Sequence, residues 1–134
     1  MFPLRDDVPA RRSPIVLYAL VVVNVLVFLY ELSLPAPALR QFVANLGVVP
    51  ADFAGPGGRI EPEPSALATL FTSMFIHAGW LHILVNMWYL WIFGNNIEDR
   101  MGHLRFLVFY LLGGVAAGLA HLALNWGSPV PSIG

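Results

Sequence analysis

Two polar side chains stand four residues apart in a run otherwise suited to lipid. They are His82 and Asn86, inside HAGWLHILVNMWYLWIFGNNIEDRMG at residues 77–102. On a helix that spacing puts them one turn apart on the same face. At membrane depth an imidazole and an amide need partners, because each unmet hydrogen-bonding group there costs about a few kcal/mol. They must face protein or trapped water. Both can donate hydrogen bonds to a developing negative charge, the asparagine from its neutral amide and the histidine from one ring nitrogen. Where such a charge develops on an oxygen, one fixed donor in a water-excluded site is worth about 3–4 kcal/mol. The plainer use of a buried His and Asn is to tie helices together.

The other histidines are His77, His103 and His121. His77 stands at a turn beside the pair and is a candidate site residue. His103 falls in a loop and reads as solvated, and His121, near the outer end of a later span, reads as a packing or interface residue. Zinc is not implied. There is no H-E-x-x-H, and the five-residue step from His77 to His82 is not a ligand spacing.

These residues need a membrane bundle to position them. Of 134 residues, 57% are hydrophobic and 11% charged, against about a quarter charged in soluble domains. The chain therefore reads as a membrane protein. A net charge of −1 gives no basic surface for nucleic acid, and the absence of cysteine excludes disulfides and thiolate metal sites.

Residues 1–14, with three arginines and three prolines, read as a solvated tail. A first span runs over about 15–34, charged only at Glu31. Its mid-span Asn24 is expected to hydrogen-bond a neighbouring helix. Leu39, Phe42, Val43 and Leu46 then form one face of a short amphipathic helix ended by Gly47, within a partly embedded loop at 35–79. Residues 64–97, 34 in all, contain no Asp, Glu, Lys or Arg. One straight helix of that length would be roughly 50 Å long, far beyond the hydrocarbon thickness of about 30 Å, so the segment must break. The expected division is a short helix capped by Ser65, a turn at His77-Ala78-Gly79, and a second span over about 80–97. Gly94-Asn95-Asn96 then returns the chain to an interface. A third span covers about 104–124, with Gly114 and Gly118 as a step for close helix approach.

The order His77, His82, Asn86, Gly94-x-x-x-Glu98-x-Arg100-x-Gly102, Phe106 and Tyr110 resembles the second and third membrane helices of the rhomboid family of intramembrane serine proteases. The resemblance implies an all-α, polytopic bundle of at least six membrane helices. In that family a serine on the fourth helix, within Gly-x-Ser-Gly, is the nucleophile, and a histidine on the sixth is its base. The second helix supplies a His and an Asn to the oxyanion, here His82 and Asn86. It also implies that Glu98 and Arg100 clamp helix ends together. The chain contains no Gly-x-Ser-Gly. Gly134 fits as that motif's first glycine, which would put the nucleophile two residues further on. The expectation is thus a rhomboid-like bundle truncated before the fourth helix, inactive and poorly stable by itself.

Arg5, Arg11, Arg12, Arg100 and Arg105 fall on one side of the spans, Arg40 and Arg59 on the other. The positive-inside rule then makes the N-terminus cytoplasmic and opens the His82–Asn86 site outward, in a multi-pass cell-membrane protein. The implied substrates are transmembrane segments of other proteins, with no cofactor. Two other readings fit the residues. One is a rhomboid relative that binds client helices without cutting them. The other is a transporter subunit, which would be expected to show an internal repeat that is not seen.

Overall fold

The computed structural model describes residues 13–134 other than Arg59, Glu61 and Glu63, so most of the tail at 1–14 and four of the seven arginines lie outside the described residues. Among the described residues five α-helices form: α1 (Ile15–Ser33), α2 (Ala36–Leu46), α3 (Pro64–Thr72), α4 (Trp80–Met101) and α5 (His103–Leu124). Helices α1 and α5 are each long and apolar enough to cross a membrane. Helix α4 meets the same measure only together with α3, from which it is bent by 82°. The molecule is a helical membrane protein.

Down α1 the buried residues are Leu17, Leu20, Asn24, Phe28 and Glu31, spaced three or four apart on one stripe. Ile15, Val22, Leu26 and Leu29 on the other faces are exposed, as suits lipid contact. The buried stripe lies against α4, and the two helices run antiparallel. Pro14 offers no side-chain cap to α1, which leaves first-turn N–H groups to be met from elsewhere. Glu98, near the far end of α4, meets them. Its carboxylate oxygens accept from Val16 N–H at 2.9 Å and Leu17 N–H at 2.8 Å. His103 Nδ1 adds a third contact to the same carboxylate. Glu98 therefore does clamp helix ends, but its partners are the start of α1 and His103; Arg100 is exposed. His103, expected to be solvated, is half-buried by this pairing.

Helix α4 continues through Gly94-Asn95-Asn96 to Met101. Gly94 is there for proximity. A Cβ would come within 2.9 Å of Leu17 Cδ1 and 3.3 Å of Phe106 Cζ, in the core where α1, α4 and α5 meet. The helix stops at Gly102, whose φ of 81° is left-handed and reverses the chain directly into α5.

The segment at 64–97 breaks as its length requires. Helix α3 begins at Pro64, so Ser65 lies inside its first turn; Pro fits there because the first N–H groups of a helix lack partners anyway. A single 3-10 turn at Ser73–Phe75 and the residues up to Gly79 carry the bend. Helix α2 turns Leu39, Phe42, Val43 and Leu46 inward while Arg40, Gln41 and Asn45 stay exposed. It is held to α3 by the Thr72 hydroxyl, which donates to the Leu46 carbonyl at 2.6 Å. Gly47 ends it in extended backbone, and glycine is needed there because a Cβ would lie 3.0 Å from the Ser132 carbonyl oxygen.

Candidate active site at the helix break

Where α1, the break, α4, α5 and the C-terminal segment converge lies a cavity of about 480 Å³. The α5 side of its wall is mostly small residues, Gly113, Gly114, Ala117 and Gly118, with Phe109 and Tyr110 beside them. What enters the Gly114–Gly118 step is not a helix backbone. Met74 occupies it, so closely that a Cβ on Gly114 would sit 2.1 Å from its sulfur, and a Cβ on Gly118 would lie 3.1 Å from Leu70 Cδ2.

The break supplies the polar wall. His77 is buried and lines the cavity. Its backbone N–H donates to the Glu31 carboxylate at 3.3–3.4 Å, and its Nδ1 faces the Phe75 carbonyl at 3.3 Å, which places the proton on Nδ1. The next N–H, that of Ala78, donates to His82 Nδ1 at 3.3 Å. With Nδ1 accepting, the His82 proton sits on Nε2, leaving that nitrogen as a donor. The two imidazoles meet edge to face with ring centroids 5.2 Å apart.

Asn86, half-buried one turn further along α4, lines the cavity. His82 is not among the lining residues; it touches the site through His77. The pair thus shares a helix face but not a wall, because His82 is drawn towards the break. From α1 comes Asn24, fully buried, whose amide donates to the Leu20 carbonyl at 2.7 Å and also bonds across to the Tyr110 side chain on α5. Ser73, Tyr110 and Ser132 complete the polar lining. His121 lies apart at the end of α5, where the Asn125 amide donates to its carbonyl at 3.0 Å.

The C-terminal segment closes the site. Val48 and Ser132 exchange backbone hydrogen bonds of 2.9 and 2.8 Å, and Gly134 N–H donates to the Ser73 carbonyl at 2.8 Å. Gly134 thereby becomes part of the cavity wall, so tightly seated that a Cβ would fall 2.5 Å from the Met74 carbonyl oxygen. Sequence reasoning passed over Asn24, Glu31 and Ser73 as site residues. A signal existed for two of them: Asn24 and Glu31 are seven apart in an apolar helix and so share one face.

A family model described as the Rhomboid domain matches residues 64–134, from the first residue of α3 through the whole break, α4, α5 and the segment ending at Gly134. The chain belongs to the rhomboid family. It is 44% identical over 79 residues to presenilin-associated rhomboid-like protein A, mitochondrial, of Danio rerio, a stretch that is 59% of this chain and 18% of that protein. It is 32% identical over 91 residues to Rhomboid-like protease 5 of Toxoplasma gondii, covering 57% of this chain and 10% of the relative. It is also 36% identical over 62 residues to Inactive rhomboid protein 1 of Danio rerio, covering 46% and 7%. The chain spans less than a fifth of the length of these relatives, whose names include both a protease and an inactive member. No solved structure gives a significant match.

Proposed function

We propose that this chain carries the oxyanion-binding part of an intramembrane serine endopeptidase that cuts transmembrane segments of other membrane proteins. Asn86 donates its amide to the oxyanion from the cavity wall. His82 donates from Nε2 at the cavity margin, and His77 lines the site. The nucleophilic serine and its histidine base are not among these 134 residues. The serine would follow Gly134 by two positions, in a Gly-x-Ser-Gly motif that enters the same cavity. A substrate helix hides its carbonyls in its own hydrogen bonds, so the scissile stretch must unwind into this polar pocket before attack. The N-terminus is assigned to the cytoplasm from the arginine distribution, with the break and the cavity facing the opposite side.

The observation that carries this reading is the convergence of Asn86, His77 and Gly134 on one cavity within helices apolar enough for a membrane. A second reading is favoured by the relative named as inactive: a rhomboid relative that holds client helices without cleaving them. One experiment separates the two. The full-length protein, reconstituted in liposomes with a model transmembrane substrate, is expected to release cleaved fragments and to lose that activity on treatment with a fluorophosphonate. Binding of the substrate without cleavage or fluorophosphonate labelling would establish the second reading instead.

A further inference from the structure

Glu31 is placed where a carboxylate gains little. It is the one charged side chain in α1, only 4% exposed, and it sits in the last turn. There the negative end of the helix dipole opposes it, and burial opposes its charge. An apolar residue would fill the same space without either cost. Its hydrogen bonds go 46 residues along the chain, to the backbone N–H of His77 at the helix break.

That N–H opens a short relay. With His77 N–H held by Glu31, the following peptide directs Ala78 N–H to His82 Nδ1, and this bond fixes the His82 proton on Nε2. Both backbone donors at the break are thus committed, one to Glu31 and one to His82. Without an acceptor at position 31, His77 N–H would be a buried donor with nothing to meet it, and the break would rotate to find water.

We infer that Glu31 is a positioning residue for the site: by accepting from His77 N–H it holds the break in the form that presents His77 to the cavity and His82 as an Nε2–H donor. The inference rests on the site assignment proposed above. What the relay needs from residue 31 is an acceptor oxygen at the reach of a glutamate, not a negative charge.

The test uses the full-length protein with three substitutions. Glu31→Gln keeps an acceptor oxygen at the same reach, Glu31→Asp withdraws it by one methylene, and Glu31→Leu removes it. Two readouts are taken: kcat and KM for cleavage of a model transmembrane substrate, and the side-chain 15N resonances of His82, which report its tautomer without any need for turnover. The Asp and Leu variants should lose kcat on the order of tenfold with KM nearly unchanged, and His82 should pass from one tautomer to a mixture. The Gln variant should stay within about threefold of wild type and keep the tautomer. If the Leu variant fails to fold, the Asp and Gln pair decides. An Asp variant with wild-type kcat and an unchanged His82 spectrum overturns the inference, as does a Gln variant as impaired as Leu. If wild type cleaves nothing, the protease reading has failed, and the nitrogen spectra alone then judge Glu31.

Discussion

Replacing Glu98 with alanine should loosen the start of α1 from the end of α4. The side chain is 1% exposed and spends its oxygens on Val16 N–H, Leu17 N–H and His103. Leu17 is itself 1% exposed, so its N–H would be left buried and unpaired, at about 1–3 kcal/mol. The Val16 donor is only part-buried and water can replace its partner in part. Loss of a negative charge at the N-terminus of α1 adds about 0.3–1 kcal/mol. His103 is 42% exposed, so losing that contact contributes less than about 1 kcal/mol. We expect a total destabilisation of about 2–4 kcal/mol, with Glu98→Gln costing roughly half because one acceptor remains. The assay is reversible unfolding of the full-length protein in mixed micelles by added dodecyl sulfate, followed by tryptophan fluorescence and helicity. A Glu98→Ala variant within about 0.5 kcal/mol of wild type would refute the capping role, since surface substitutions alone reach that size. A His103→Ala variant costing as much as Glu98→Ala would move the energy from the helix cap to the imidazole pair.

Three further substitutions address the packing around the site. Gly94→Val drives methyl groups into Leu17 and Phe106 and should cost about 1–3 kcal/mol in the same unfolding assay. Gly114→Ala collides with Met74, so adding Met74→Ala should recover part of the loss, and a double-mutant cycle should show a coupling of at least about 0.5 kcal/mol. Thr72→Val removes the hydroxyl bond to Leu46 and should cost about 1 kcal/mol, with faster proteolysis between α2 and α3 as the second measure.

Much of the architecture was legible because hydrocarbon thickness is a hard constraint. An uncharged run of 34 residues cannot be one straight span, and the break falls at His77 to Gly79, where the chain has its turn residues. Helix amphipathicity likewise gave α2 and its half-buried inward face. What the chain did not disclose were contacts made across long separations. Glu98 bonds to residues more than 80 positions away, and nothing local distinguishes it from Asp99 or Arg100. His103 seemed solvated only because its partner was unknown. Helical spacing placed His82 and Asn86 on one face, but the one-turn offset and the Ala78 N–H separate them, so that Asn86 reaches the cavity wall and His82 its margin. The route of Gly134 to Ser73 depends on the backbone pairing of Val48 with Ser132, which no periodicity encodes.

The most direct test of the oxyanion assignment is kcat for a model transmembrane substrate in the full-length Asn86→Ala variant, with unfolding measured in parallel. A fixed donor lost from such a site should lower kcat by about 10²–10³ while KM and bundle stability stay near wild type. Wild-type kcat in that variant would show that Asn86 does no more than line the cavity.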